Sequence, residues 1–155
     1  MLDRIRNHLR DAQHVSIPAE SNSAWLPCHA IDLKKDGELN AHVDSIKFSG
    51  DLVAGLSLLS PCIMRLRPDP ENEARQDRNT KWVDLFLPPL SLYALTGVSR
   101  YAYSHELLPS GSTFERMTTI GIESRGGVDG DREAIIVDRD QRLSVIFRDA
   151  KEGWA

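Results

Sequence analysis

The sequence predicts a mainly β domain, built as a β-sandwich or jelly roll with one short helix at its N-terminus. Three observations support this prediction. Most apolar segments have strand length and end at glycine, proline or charged residues. Only the first segment repeats its apolar residues at helical spacing. Helices and strands nowhere alternate, which argues against a parallel α/β sheet, and 155 residues suffice for one domain with a sizeable core.

The N-terminal segment places Leu2, Ile5 and Leu9 on one face of a helix. Its arginines would also suit a mitochondrial presequence, which is an amphipathic and basic leader. Asp3 and Asp11 argue against that alternative, because such leaders contain few acidic residues. We therefore expect an ordinary helix that packs on the domain.

The rest of the chain is predicted to form strands joined by turns. The run at 52–60 is apolar almost throughout, which is typical of a strand buried on both faces. Gly50 is expected to end the preceding strand, and exposed loops are expected over 68–80 and 108–132. The predicted strands are 25–33, 39–44, 52–60, 62–67, 82–87, 91–95, 134–137 and 142–147, with a strand or strand end at 99–105.

Composition and charge narrow the classes of function. The chain is 41% hydrophobic and 27% charged, which is ordinary for a soluble globular domain. A net charge of −4 gives no general attraction to nucleic acid, although it leaves room for a local basic patch. Cys28 and Cys62 have no metal-site spacing and are expected to be partly buried free thiols, as in a reducing compartment. No apolar run is long enough to span a membrane.

A His-x-Asp motif and one distant histidine form the first candidate site. In an extended strand, His42 and Asp44 would point to the same face. With His105 they would offer two imidazoles and one carboxylate, the set that suits non-haem Fe(II) and leaves coordination positions open. The alternative is a chance His-x-Asp and a hydrogen-bonded surface histidine. The other histidines fit no ligand spacing and are expected at surface or structural positions; they are His8, His14 and His29.

The last predicted strand carries the second candidate site. Arg142, Ser144 and Arg148 are separated by even spacings, so their side chains share one face. Arginine binds carboxylates through two parallel hydrogen bonds, and two inward-facing arginines would need an anionic partner. The alternative is a salt-bridged pair on a solvent face. Trp25 and Trp82 lack an interleaved basic patch, so we expect packing rather than base stacking.

The order of these motifs is more specific than any one of them. A His-x-Asp motif, a distant histidine and an Arg-x5-Arg motif follow one another, and the chain thereby resembles the AlkB family of Fe(II)- and 2-oxoglutarate-dependent dioxygenases. The resemblance is strongest to the mitochondrial branch of that family and covers roughly residues 24–148. The resembling segments are HVDSIKFSG at 42–50, AGLSLLSPCIMRL at 54–66, LPPLSLYALTGVSRYAYSHE at 87–106 and RLSVIFR at 142–148.

The resemblance implies one catalytic domain over 1–155 with a double-stranded β-helix fold, a cupin-like jelly roll. It implies Fe(II) as cofactor, with 2-oxoglutarate and dioxygen as co-substrates that oxidise a C–H bond. On an N-methyl group this chemistry ends in demethylation. The residues that it assigns are His42, Asp44 and His105 to the iron, and Tyr93, Arg142, Ser144 and Arg148 to 2-oxoglutarate, with Arg148 nearest the iron.

The sequence also departs from the family pattern. Ile31 and Leu33 stand where many relatives have an Asn and a Tyr that hold the co-substrate, and Ser144 replaces an Asn. We therefore expect co-substrate binding to depend more on Arg142 and Tyr93. The chain begins shortly before the resembling core, so it is expected to lack the N-terminal segment that forms the nucleotide-recognition lid in relatives.

Three functions follow as expectations. The first is oxidative demethylation or hydroxylation of methylated RNA or another nucleic acid in the mitochondrial matrix. The second, suggested by the acidic net charge and the expected missing lid, is hydroxylation of a protein or a small metabolite. The third is a non-catalytic short form that binds a partner. A cytoplasmic location is the alternative to the mitochondrion.

Overall fold

A computed structural model describes residues 2–11, 25–69, 82–117 and 132–151 of the chain. Most of the loop predicted over 68–80, the larger part of that predicted over 108–132, and His14 lie outside these residues. The fold and the site below are therefore those of the described ranges.

The described residues form ten strands and two helices. The N-terminal helix and nearly all the predicted strands are present, with ends shifted by a few residues. In chain order the elements are α1 (Leu2–Asp11), β1 (His29–Leu33), β2 (Leu39–His42), β3 (Ser49–Leu59), β4 (Cys62–Pro68), β5 (Val83–Leu87), β6 (Ser91–Leu95), α2 (Gly97–Tyr101), β7 (Tyr103–Leu107), β8 (Ser112–Met117), β9 (Arg132–Val137) and β10 (Arg142–Ala150).

Eight of these strands make two four-stranded antiparallel sheets. The first sheet has the order β1-β10-β3-β6 and the second the order β2-β7-β4-β5. The remaining strands, β8 and β9, pair with each other. Because the chain passes repeatedly from one sheet to the other, the two sheets form one sandwich, and the mainly β jelly-roll prediction is confirmed.

Apolar side chains fill both faces of the first sheet. Val53 of β3 points between the sheets, whereas its neighbours Leu52 and Ala54 point outward, where Ile5 and Leu9 of α1 cover them. This explains the continuous apolar run of β3, which was predicted to be buried on both faces. The core between the sheets contains Leu33, Val53, Cys62, Met64, Leu66, Leu87, Leu95, Leu107 and Ile146.

The prediction that Gly50 ends a strand is wrong, because Gly50 lies inside β3. Opposite it, the pairing with β10 shifts register around Asp149, whose carboxylate accepts hydrogen bonds from the backbone N–H groups of Asp51 and Leu52. A Cβ at Gly50 would come within 2.9 Å of that carboxylate. The glycine therefore permits a close approach at a bulge instead of breaking the strand.

The segment predicted as a strand or strand end at 99–105 begins as a short helix, α2, and only its last three residues lie on a strand, β7. Ser99 explains the helical start, since its hydroxyl accepts from the Thr96 N–H at 3.1 Å and donates to the Thr96 carbonyl at 2.8 Å. Gly97 has a φ of 51°, which glycine adopts without strain. Polar local contacts thus overrode an aromatic run that resembles a strand.

The prediction of a loop over 108–132 is partly wrong, because this range contains β8 and the first residue of β9. Phe114 of β8 packs near Phe86 of β5, with ring centroids 5.7 Å apart. Glycines and serines surround β8 in the sequence, so its short alternating pattern was interpreted as part of a loop. Both cysteines are free thiols, as predicted, with Cys62 buried but Cys28 exposed. Neither described helix is long and apolar enough to cross a membrane.

Candidate metal centre

The structure brings His42, Asp44 and His105 together in one cluster. His42 and His105 face each other across the β2–β7 pair, with ring centroids 4.3 Å apart. Asp44 lies two residues beyond the end of β2 and reaches the same place from a connecting segment. One potential ligand atom from each of the three residues lies within 4.8 Å of the other two.

The surroundings of the two histidines leave one ring nitrogen of each within reach of a metal. His42 Nδ1 lies 2.8 Å from the carbonyl oxygen of Asn40, so a neutral ring that donates there keeps Nε2 as an acceptor. Burial, together with the nearby His42, lowers the pKa of His105 to about 4. His105 is therefore neutral near pH 7, and its Nε2 lies 3.8 Å from Asp44 Oδ2. Such a set can coordinate a divalent transition metal.

The other oxygen of Asp44 is occupied by Arg148 of β10. Arg148 donates to Asp44 Oδ1 from Nη2 at 2.5 Å and from Nε at 3.1 Å. Its Nη1 lies 3.1 Å from His29 Nδ1. His29, expected to be a surface or structural residue, is exposed but contacts the arginine that holds Asp44. Sequence reasoning missed this contact because the two residues are 119 positions apart.

Arg100 of α2 is a second residue that sequence reasoning missed. It is only 2% exposed. Its guanidinium donates to the carbonyl oxygens of Asp44 at 3.0 Å and Ser45 at 3.1 Å, and to the Ser49 hydroxyl at 2.7 Å. The sequence carried no signal for this role, because an arginine in a short polar segment is normally assigned to solvent.

The wall opposite the histidines contains buried polar groups on the inner face of the first sheet. Arg142 is 1% exposed, and its Nε and Nη2 have no hydrogen-bond partner in the part of the chain that the structure describes. The buried hydroxyls of Ser144 and Ser57 are equally unpartnered there. Buried charges are costly unless they are paired. These atoms could therefore donate hydrogen bonds to an anion with several acceptor oxygens.

Tyr93 stands beside this wall on β6. Its ring packs against Gly55 of β3, where any Cβ would overlap the ring. Burial raises the pKa of Tyr93 to about 12, so its hydroxyl remains a hydrogen-bond donor at neutral pH. The glycine therefore makes room for a phenol that faces the interior.

One cavity connects the histidine side with the arginine side. It lies between the two sheets, and residues of both sheets line it. Ile31 lines it, whereas Leu33 lies in the core, so neither position supplies the polar group that many family members are expected to have. The remaining lining residues are Leu39, His42, Asp44, Met64, Tyr93, His105, Leu107, Arg142, Ser144, Ile146 and Arg148.

The two tryptophans differ in their surroundings. Trp25 packs edge-on against Phe147, at a centroid distance of 6.4 Å, and lies in the layer beneath α1. Trp82 is 47% exposed, with the Arg65 guanidinium 4.8 Å from the centre of its ring. The packing expectation therefore holds for Trp25, but Trp82 is a surface residue.

The donor set and the unpartnered groups fit the cofactors that the resemblance implied. Two imidazoles and one carboxylate suit Fe(II), and a buried guanidinium with adjacent hydroxyls suits one carboxylate of a dicarboxylic acid. Both lie along the same cavity. The residues present are thus chemically compatible with Fe(II) and 2-oxoglutarate.

Comparison with known proteins identified relatives but no matching family model. The chain is 39% identical over 131 residues to a mouse protein named "Alpha-ketoglutarate-dependent dioxygenase alkB homolog 7, mitochondrial", a match that covers 84% of this chain and 48% of that protein. The bovine protein of the same name is 39% identical over 125 residues, which is 81% of this chain and 46% of the relative.

A third relative is more distant. The protein named "Alkylated DNA repair protein ALKBH8 homolog" from Arabidopsis thaliana is 33% identical over 76 residues, covering 43% of this chain and 22% of that protein. The chain spans about half the length of the mouse and bovine relatives. The similarity to those two extends over more than four-fifths of this chain, far beyond any single motif. This chain belongs to the AlkB family.

Proposed function

We propose that this chain carries the catalytic domain of an Fe(II)- and 2-oxoglutarate-dependent dioxygenase. The observation that carries the proposal is the cavity that joins His42, Asp44 and His105 to the buried guanidinium of Arg142, whose Nε and Nη2 have no hydrogen-bond partner among the described residues. A metal site and a buried anion site share one small enclosure, which is what an oxidase that uses a chelating keto acid requires. The names of the mouse and bovine relatives, which state such an activity, agree with it.

Three residues would hold the iron. His42 and His105 would supply imidazole nitrogens, and Asp44 would supply the carboxylate oxygen that Arg148 leaves unpaired. Because Arg148 engages Oδ1, Asp44 is set to bind the metal through one oxygen only. Three protein ligands leave coordination positions open for exogenous groups. When bound, the iron supplies activation of dioxygen coupled to oxidative decarboxylation of 2-oxoglutarate.

The co-substrate would extend from the metal to the wall of the first sheet. Arg142 would bind its distal carboxylate, and the hydroxyls of Ser144 and Tyr93 would donate to the same group. Arg148 would lie closer to the metal, beside Asp44. Apolar side chains such as Met64 and Ile146 line the space between and would exclude water. Arg142 on the wall and the metal at the other end of the cavity would together supply the positive charge that a dianion requires.

We propose oxidative demethylation or hydroxylation as the reaction, with methylated RNA in the mitochondrion as the first substrate to test. The word "mitochondrial" in the names of two relatives supports the location. The Arabidopsis relative is named for repair of alkylated DNA, which supports a methylated nucleic acid. The net charge of −4 gives weak general attraction to phosphate, and this observation favours a protein or metabolite as the second candidate.

The proposal is tested by succinate release from 2-oxoglutarate with Fe(II) and dioxygen. Four parallel reactions would contain N-methylated single-stranded RNA, N-methylated duplex DNA, a methylated peptide mixture and no substrate. We expect succinate in all reactions that contain iron, with stimulation by the true substrate class. Succinate formation without demethylated base in the nucleic-acid reactions would favour the second candidate. Absence of both succinate and 2-oxoglutarate binding would contradict the proposed activity and leave partner binding as the function.

A further inference from the structure

We propose that Arg100 is a positioning residue of the metal centre: it fixes the main chain at Asp44 and thereby the direction of the Asp44 carboxylate. This inference rests on the proposed metal site. It assigns no contact between Arg100 and the metal. A buried arginine in α2 thus orients a potential metal ligand that belongs to a different part of the chain.

Asp44 lies outside the strands. It falls between β2, which ends at His42, and β3, which begins at Ser49, so no strand pairing fixes its backbone. Arg100 binds two successive carbonyl oxygens in this segment, those of Asp44 and Ser45, and also the Ser49 hydroxyl. That hydroxyl in turn donates to the Ser45 carbonyl at 2.5 Å. Side-chain hydrogen bonds therefore fix the backbone of this segment, as hydrogen bonds between strands fix the backbone within a sheet.

Arg100 links the segment around Asp44 to the strand that contains His105. It lies in the last turn of α2, and β7 begins at Tyr103, so His105 follows only five residues later. One continuous piece of chain thus contains both the ligand His105 and the guanidinium that holds Asp44. The relative placement of two ligands that are far apart in sequence is set by these contacts and by the β2–β7 pairing.

The buried charge of Arg100 also bears on the metal site. Arg100 is almost fully buried, and among the described residues it forms no salt bridge with a carboxylate. Burial lowers the pKa of Arg100, while the nearby Asp44 charge opposes this effect. A guanidinium that binds carbonyls leaves the Asp44 carboxylate available for the metal and for Arg148. Outer residues that orient ligands in this way affect metal affinity without touching the metal.

The neighbouring Tyr101 offers a matched control. Its hydroxyl donates to Asp51 Oδ1 at 2.5 Å and to the Gly50 carbonyl at 3.2 Å. Tyr101 therefore also ties α2 to the chain around β3, through Gly50 and Asp51, whereas Arg100 binds the carbonyl oxygen of Asp44. A general need to anchor α2 predicts similar effects at both positions, whereas positioning of Asp44 predicts an effect at Arg100 only.

The test is titration of the full chain with Co(II), a spectroscopic substitute for Fe(II), in the absence of 2-oxoglutarate. We expect Arg100→Met to weaken Co(II) binding by about 10- to 100-fold, the usual effect of losing an outer partner of a ligand. Its visible absorption bands should also shift, because the ligand geometry changes. Arg100→Lys, which retains the charge but not the fork, should lose affinity to an intermediate degree. Tyr101→Phe and the exposed Arg67→Met should stay within about twofold of wild type.

Far-UV circular dichroism and urea unfolding decide which variants are interpretable. If Arg100→Met does not fold, Arg100→Lys carries the test alone. Wild-type Co(II) affinity and spectrum in a folded Arg100 variant would overturn the inference. So would an equal loss in Tyr101→Phe, because it would reveal mere anchoring of the helix. If wild type binds Co(II) no better than Asp44→Ala, the metal site itself is overturned, and this inference with it.

Discussion

The metal side and the co-substrate side of the cavity are built in opposite ways. On the metal side, Asp44 lies outside any strand, yet its polar atoms have partners: Arg148 binds its carboxylate and Arg100 its carbonyl. On the co-substrate side, Arg142 and Ser144 lie within a regular strand, but Nε and Nη2 of Arg142 and the Ser144 hydroxyl have no hydrogen-bond partner among the described residues. One side depends on tertiary hydrogen bonds for its shape, whereas the other takes its shape from the sheet.

This difference has an energetic consequence. Ligand atoms must be placed before a metal arrives, because the metal binds only a set with suitable geometry. An anion site can instead keep an unpaired cation if the surrounding sheet is stable enough to bear the cost. Substitutions on the metal side should therefore damage affinity through geometry. Substitutions of the buried, unpaired polar groups on the co-substrate side should lower the affinity for the ligand without lowering the free energy of unfolding.

The largest expected effect is at Asp44. Asp44→Ala should abolish tight Fe(II) binding, because two imidazoles alone make a weak site, while the sheets that hold the core remain intact. Iron stoichiometry after equilibrium dialysis measures this effect. Asp32→Ala is the control, since Asp32 is an exposed carboxylate that accepts hydrogen bonds from Gln141. Unchanged iron content in Asp44→Ala would rule out the three-residue metal site.

The next effect concerns the co-substrate. Arg142→Lys retains a positive charge but cannot form two parallel bonds to one carboxylate, so 2-oxoglutarate binding should weaken by ~1–3 kcal/mol. Arg148→Lys should change that affinity less, because Arg148 is committed to Asp44. Isothermal titration with Mn(II) in place of iron would compare the two. Negligible effects at both positions would mean that the arginines are structural.

Stability should move in the opposite direction at the same residue. Arg142→Met removes a buried guanidinium whose Nε and Nη2 lack a hydrogen-bond partner in the described part of the chain, so the free energy of unfolding without ligands should rise by about 1 kcal/mol or more. Arg65→Met, which breaks a partly exposed pair with Asp84, should not raise it. Urea unfolding measures both variants. A less stable Arg142→Met protein would show that this guanidinium already has compensating partners.

Several features were accessible from the sequence because they depend on local periodicity. The even spacing of Arg142, Ser144 and Arg148 predicts a shared face, and all three line one cavity. The spacing of His42 and Asp44 likewise predicts proximity, although Asp44 reaches the site from beyond the strand end. These residues come together in the structure, while their roles as ligands remain proposals.

Other features could not be predicted, because they arise from contacts between distant parts of the chain. Arg100 meets a segment 55 or 56 residues away, and His29 meets Arg148 across 119 residues. Gly55 has its meaning only opposite Tyr93 on the neighbouring strand. The helix α2 depends on the hydroxyl of Ser99, a signal too short to outweigh the aromatic pattern around it. The periodicity of apolar residues predicts which face of a single helix or strand is buried. It does not predict which distant residues that face contacts.

The smallest expected effect is at Tyr93, whose hydroxyl we expect to be one of several donors to the distal carboxylate. Tyr93→Phe should weaken 2-oxoglutarate binding by ~0.5–1.5 kcal/mol, the net value of a hydrogen bond, with little change in stability. Because the pKa of Tyr93 is about 12, the affinity ratio of variant to wild type should stay constant between pH 6 and pH 9. Gly55→Ala is the contrasting variant: its new methyl group would displace the same ring, so it should lower both affinity and stability. An affinity ratio that drifts with pH, or an undiminished affinity in Gly55→Ala, would show that Tyr93 does not form part of the co-substrate site.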